Sequence, residues 1–186
     1  HDGREGLGYT YTLGAGARAI HSVMECDMAP FLMGRDQTRI EEIWHGLWWK
    51  LHYAGRGGLV IHALSAIDIA LWDLLGKSVG LPLWRLLGGA NPKVKAYAGG
   101  IDLMFSLDDL LAQTEQNLSK GFRAIKMKVG RDNLNEDVER IKTMRSHLGI
   151  GFPLMVDANM RWTVDEAIRA ARAFQEFDLV WLEEPT

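Results

Sequence analysis

The sequence predicts an α/β fold in which parallel strands alternate with helices, entered through a helix-rich N-terminal segment. Three observations carry this. From residue 94 onward, short apolar runs alternate with amphipathic stretches bounded by Gly, Ser or Thr, the pattern of βα units with right-handed crossovers. Charged residues recur at the ends of the apolar runs: Lys126 and Lys128, then Asp157, 29 residues after Lys128, then Glu183, 26 residues after Asp157. A barrel βα unit takes roughly 30 residues, from about 250 residues over eight units. Composition then shifts at Gly88-Gly89-Ala90-Asn91-Pro92, which predicts two domains, 1–90 and 91–186.

In the first domain, residues 1–6 (His-Asp-Gly-Arg-Glu-Gly) read as the turn of a hairpin already under way, without an initiator Met, and the chain is expected to be a fragment. Residues 7–12 alternate and carry Tyr9, Thr10, Tyr11 and Thr12, which predicts a strand. Gly14 and Gly16 follow, but no Gly-Lys-Ser/Thr does, so this is not a phosphate loop. A helix is expected over 17–31 with Ile20, Val23 and Met24 on one face and Pro30 at its end. A second covers 38–52, its Trp44 and Trp48 reading as core rather than as a ligand cage. A third, strongly apolar helix covers 61–75 with Gly76 as its stop. Asp68 and Asp73 within it are expected to be hydrogen-bonded structural residues.

In the second domain the strands are expected at 94–98, 124–129, 154–157 and 179–183. The first helix starts at Leu107, with Ser106 as its cap and Asp108 and Asp109 in its first turn. The second covers 136–147. The third opens with Thr163-Val164-Asp165-Glu166, a capping box that makes Asp165 and Glu166 helix-start charges rather than ligands.

Composition excludes several functions. At 47% hydrophobic and 24% charged, with a net charge of −3, the chain has a globular composition and no basic stripe for nucleic acid. No apolar stretch reaches 18 residues, so no membrane span is expected. Cys26 is the one cysteine, which excludes an intrachain disulfide and points to a reducing, cytoplasmic setting. Cys26 itself reads as a small buried apolar residue.

The charged strand ends carry the chemistry. Side chains alternate along a strand, so Lys126 and Lys128 share one face while Ile125, Met127 and Val129 take the other. Two ammoniums on an otherwise apolar strand are costly unless they meet water, a carboxylate or a metal site. Either motif alone is commonplace: Lys-x-Lys suits a solvated edge, and a lone strand-end acid suits a cap. Three consecutive units with charge at the end where barrel active sites lie are another matter. Asp157 and Glu183 suit Mg²⁺, a hard cation that takes carboxylate oxygens, and no His or Cys stands near them to favour zinc. A second ammonium on the same face disfavours the charged form of Lys128, which suits a general base. Asn159 either bonds the substrate or shapes the turn after its strand. Glu184, of opposite parity to Glu183, reads as an ion partner, and Tyr97 with Gly99-Gly100 stands where it could touch substrate.

The order Lys-x-Lys, Asp157-Ala158-Asn159, Glu183-Glu184-Pro185 resembles the enolase superfamily, and most closely its mandelate racemase branch (the mandelate racemase/muconate lactonizing enzyme family). Residues 67–77 (Ile-Asp-Ile-Ala-Leu-Trp-Asp-Leu-Leu-Gly-Lys), Gly80-Leu81-Pro82-Leu83 and Leu86-Leu87-Gly88-Gly89 are similar to the segment leading those enzymes into their barrel. The resemblance implies the first half of a modified TIM (β/α)7β barrel, its first four βα units in 91–186, behind a partial α+β capping domain in 1–90. It implies Mg²⁺ as cofactor, Asp157 and Glu183 as ligands with a third carboxylate one unit on, Lys128 as base, and Lys126 on the substrate carboxylate. Segments 96–100 and 157–159 look most like acid-sugar dehydratases. The implied reaction is abstraction of the proton α to a carboxylate through an enediolate, then dehydration of a sugar acid. Alternatives are a racemase or epimerase acting on a 2-hydroxy acid, a muconate-type cycloisomerase, and an inactive fragment or binding-only relative. The implied partners are a small carboxylate substrate and a second copy in a homo-oligomer, with no nucleic acid and no membrane.

Overall fold

The computed structural model describes residues 3–186, and the chain divides between Pro92 and Lys93 into two compact units. The hairpin turn expected at 1–6 lies partly outside the described residues. In the first unit, helix α1 (Ala17–Ser22) runs into a π-helical turn (Val23–Met28) and α2 (Ala29–Leu32), followed by α3 (Ile40–Leu51), α4 (Gly58–Val79) and α5 (Leu83–Leu86). Ile20, Met28, Ile43, Leu47, Ala63 and Leu64 form its buried core.

Several expectations change here. Residues 7–12 form no strand, because their polar groups are spent on α4 rather than on a neighbouring strand. The Leu7 N–H donates to Asp73 Oδ2 at 2.7 Å, and Thr10 Oγ1 meets His62 Nδ1 at 3.0 Å. A Cβ on Gly6 or Gly8 would overlap the carbonyl oxygens of Ala70 and Ala66, so only glycine allows so close an approach. The first helical run ends at Leu32, one residue past its expected end, with Pro30 in its last turn. Proline lacks an N–H and crowds the carbonyl four residues back, and the widened π turn just ahead of it accommodates both effects. Cys26 lies on that turn and is exposed, not buried. Gly76 is interior to α4, where a Cβ would stand 2.9 Å from the Leu81 carbonyl oxygen. The left-handed stop is Gly80, at φ 68°, with the Leu81 N–H closing back on Gly76 O. At 22 residues, α4 is long and apolar enough to cross a bilayer by composition, which the sequence reading had excluded. A core helix meets the same criterion, and α4 buries Ala63, Leu64 and Ala66 in this unit. Asp73 is hydrogen-bonded as expected, also pairing with Lys77 at 2.7 Å, whereas half-buried Asp68 has its pKa raised by desolvation alone.

The second unit is a four-stranded parallel sheet in the order β1 (Ala98–Gly99), β2 (Ile125–Lys128), β3 (Leu154–Asp157), β4 (Leu182–Glu183). Between the strands run α6 (Leu107–Ser119), α7 (Leu134–Leu148) and α8 (Val164–Phe174). β1 and β4 are shorter than expected, each pairing regularly over only two residues. The Val180 N–H already bonds Leu154 O at 2.9 Å, so contact precedes regular ladder geometry. Ile125, Met127 and Val156 pack with Leu110, Ile141 and Met144 into a buried core, each such side chain contributing about 1.5–3 kcal/mol by burial. Ser106 Oγ accepts from the Asp109 N–H at 3.2 Å, and the Thr163–Glu166 capping box is formed.

Candidate functional site

Register brings the expected residues together. Lys128 stands beside Asp157, and Asp157 beside Glu183, in one row across the C-terminal ends of β2, β3 and β4. Lys126 lies one alternation deeper, beside Met155, and reaches up to the row. Its Nζ donates to Glu183 Oε1 at 2.7 Å and stands 3.1 Å from Asp157 Oδ2. Lys128 Nζ donates to the same Asp157 Oδ2 at 2.7 Å. The opposite face of β2 is apolar and packed, so burying Ile125 and Met127 forces both lysines onto this side.

The electrostatics follow from those contacts. Burial disfavours the charge on Lys126, but its bonds to Glu183 and Asp157 outweigh this and its pKa is raised. Asp157 is almost fully buried. Desolvation would raise its pKa, yet the bonds from Lys128, the Asn159 N–H and Lys126 hold it below the usual carboxylate value. The Lys126 bond, joined by the Trp181 indole N–H at 3.0 Å from Oε2, lowers that of Glu183. Two carboxylates face two ammoniums, a locally neutral group of four.

Asn159 shapes the turn after β3. It sits at φ 48°, its N–H donates to Asp157 Oδ1 at 2.9 Å, and its Nδ2 donates to Glu184 Oε2 at 3.2 Å. Glu184 thus partners an amide, not the cation expected of it. Tyr97 packs edge-on against Trp181 with ring centroids 5.6 Å apart, and Lys126 Nζ lies 5.4 Å from the Tyr97 centroid. Both rings belong to a cavity of about 920 Å³ at the opposite, N-terminal ends of the strands, with Phe122, Pro153 and Met155. Asp102, whose carboxylate accepts the Lys128 N–H at 2.8 Å, was missed in the sequence. It left no signal, since it stands in the loop past β1 whereas Asp157 closes β3 itself. Arg140, buried behind Asp102, left none, because its spacing reads as an ordinary helix-face arginine.

The donor set fits a hard divalent cation. Asp157 and Glu183 offer carboxylate oxygens only, and the Lys126 ammonium already bridges them as a stand-in cation. Among the described residues no group of three or more His, Cys, Asp or Glu is placed to hold a metal.

Residues 1–88 match the family "Mandelate racemase / muconate lactonizing enzyme, N-terminal domain", and residues 109–186 match "Enolase C-terminal domain-like". The chain belongs to the enolase superfamily, in its mandelate racemase branch. Within that superfamily it is 58% identical over 185 residues to the 3,6-anhydro-α-L-galactonate cycloisomerase of Streptomyces coelicolor, covering 100% of this chain and 51% of that protein. A racemase from Streptomyces coelicolor A3(2), solved with bound magnesium, superposes with a TM-score of 0.94 at 58% identity over 100% of this chain and 55% of its own. The L-talarate/galactarate dehydratase of Salmonella typhimurium, liganded with Mg and L-lyxarohydroxamate, gives 0.90 at 41% identity over 100% and 47%. The chain spans about half the length of the curated relatives it matches. The parallel sheet with its helices is accordingly part of an enolase-superfamily barrel.

Proposed function

We propose that the complete protein removes the proton α to the carboxylate of a sugar acid, with magnesium as cofactor, and expels a β-oxygen from the resulting enediolate. The supporting observation is the row Lys128–Asp157–Glu183 with Lys126 beneath it, at the strand ends where barrel enzymes place their chemistry. Residues 1–90 then belong to the capping domain and 91–186 to the first four βα units of the barrel.

Asp157 and Glu183 would hold the ion. Bound there, magnesium supplies positive charge against the substrate carboxylate and the enediolate. Lys128, level with both carboxylates, takes the α-proton. Lys126, one alternation deeper, holds the substrate carboxylate. Asn159 keeps the β3 turn closed and offers its amide to the substrate. Where the β-carbon bears a hydroxyl, breaking its C–O bond releases water and leaves the 2-keto-3-deoxy acid, the dehydration expected from the sequence. Where the β-oxygen is a ring ether, the same cleavage opens the ring and nothing leaves. Every residue acts alike up to that step. Identity of 58% to a cycloisomerase of an anhydro acid favours the ring-opening outcome, and 41% to a dehydratase supports the other. A racemase would need a second base on the opposite face of the substrate. As a relative of sugar-acid enzymes, the complete protein is placed in the cytoplasm and as a homo-oligomer in the same proposal.

The test uses the complete enzyme with 3,6-anhydro-L-galactonate and galactarate in deuterated water. Lys128→Met abolishes α-proton exchange while retaining Mg²⁺ binding by calorimetry. Asp157→Asn and Glu183→Gln each weaken Mg²⁺ binding by more than about tenfold. Exchange surviving in Lys128→Met, or unchanged Mg²⁺ affinity in both carboxylate variants, overturns the reading.

A further inference from the structure

We infer that the buried pair Asp102–Arg140 is a positioning device for Lys128, setting the height and direction from which its side chain leaves β2; this rests on Lys128 being the base proposed above. Pairing between β1 and β2 covers only Ala98 with Ile125 and Gly99 with Lys126. Beyond it, the Lys128 N–H faces the β1 side with no strand carbonyl to meet. The Asp102 carboxylate takes that place, with Oδ1 accepting the Lys128 N–H at 2.8 Å. On the other side the Val129 N–H bonds Asp157 O at 3.0 Å, so the end of β2 is held between Asp102 and the strand that carries Asp157.

Arg140, on α7, fixes Asp102 in turn. Its Nη2 donates to Asp102 O at 2.8 Å, stands 3.4 Å from Asp102 Oδ1 and reaches Lys128 O at 3.5 Å, while Nη1 donates to Phe105 O at 2.8 Å. One turn earlier on α7, Asp137 Oδ2 accepts from the Gly130 and Arg131 N–H groups at 2.8 and 3.0 Å. Helix α7 thus grips the backbone from Lys128 to Arg131 and the loop that carries Asp102. The arrangement is a costly way to end a strand. Asp102 and Arg140 are 1% and 2% exposed, and Asp102 Oδ2, Asp137 Oδ1 and Arg140 Nε have no hydrogen-bond partner among the described residues. A buried ion pair with orphaned atoms is poor stabilisation compared with apolar packing. Its return is precision at one amide, and a 1 Å error at a reacting group can cost about 10²-fold in rate.

The experiment uses the complete enzyme, the same two acids, and amide hydrogen exchange read by mass spectrometry on the peptide containing Lys128. In Asp102→Ala, kcat falls about tenfold or more, KM stays within about twofold, Mg²⁺ affinity is kept, and the Lys128 amide exchanges faster. Asp102→Asn, which keeps an acceptor oxygen, restores most of kcat and the slow exchange. If Asp102→Ala does not fold, Arg140→Lys carries the test, since one ammonium cannot hold Asp102 O and Phe105 O together, and the same split is expected. Unchanged amide exchange, or KM and Mg²⁺ affinity failing together with kcat, or no rescue by Asp102→Asn, overturns the inference. If the exchange result holds but Lys128→Met still exchanges the α-proton, the base assignment fails while the positioning role of Asp102 on this amide stands.

Discussion

Lys126 contacts two carboxylates at once, and this makes its removal informative. In Lys126→Met, Asp157 and Glu183 lose their shared ammonium. The apo-protein is destabilised by the mutual repulsion left behind, while Mg²⁺, no longer competing with that ammonium, binds more tightly. Two unit charges 4 Å apart interact by about 4 kcal/mol at an effective dielectric of 20, so an affinity gain of about tenfold is a conservative expectation after solvent screening. Isothermal titration with Mg²⁺ reads it, and a loss of affinity would mean that Lys126 supports the ion instead of standing in for it. At this scale the site was legible because strand parity is rigid: once Ile125 and Met127 are read as core, Lys126 and Lys128 have no other face to occupy. Asp102 was not legible, because its task exists only where β1 stops two residues short of Lys128, and no sequence pattern marks where a parallel ladder ends. Cys26 was misread for a similar reason, since its exposure depends on a π turn that shifts the helical phase.

Elements were read well where local chemistry decides them and poorly where a partner does. The caps at Ser106 and Thr163 and the strand 154–157 fell where expected, because capping boxes and apolar runs are written within a few residues. Residues 7–12 have strand composition, but a strand needs a ladder, and this segment bonds to α4 through Asp73 and His62. Gly8→Ala should therefore detach it at a cost of about 1–3 kcal/mol, the range for forced overpacking. Urea unfolding of wild type and variant checks this, and equal midpoints would show the segment adjusts freely. The bond also carries a pH dependence. The Leu7 N–H, then Lys77, lowers the pKa of Asp73, so its carboxylate stabilises the fold above the unfolded value near 3.9. That contribution fades as pH falls through the lowered folded value. The stability gap between wild type and Asp73→Asn should be full at pH 6, begin to narrow near about pH 4 and close only as pH falls through the lowered folded value; a gap that persists in stronger acid would assign the effect to something other than charge.

At the scale of the whole molecule, the described residues form two hydrophobic cores, one around Leu47 and Leu64 and one around Met127 and Ile141. Leu47→Ala and Ile141→Ala should each cost about 2–5 kcal/mol within their own unit. Hydrogen exchange is expected to quicken in 3–92 for the first and in 93–186 for the second. Spread of either effect across both would mean that the units unfold as one. The two compact units part after Pro92, at the last residue of the Gly-Gly-Ala-Asn-Pro shift, whereas the shortness of β1 and β4 depends on ladder geometry that composition does not encode.

The neutral quartet of Lys126, Lys128, Asp157 and Glu183 separates assembly from loading. A structural zinc domain collapses without its ion because its ligands have nothing else to neutralise them. Here the polypeptide brings its own countercharge, so strand ends can be laid down before any ion arrives. On the proposed assignment, uptake would be an exchange of like for like: a dication held by Asp157 and Glu183 would take over the countercharge that Lys126 and Lys128 now supply. Exhaustive chelation should silence the complete enzyme while leaving its melting temperature and circular dichroism nearly untouched, and re-addition of Mg²⁺ should restore turnover at the speed of binding, with no refolding delay.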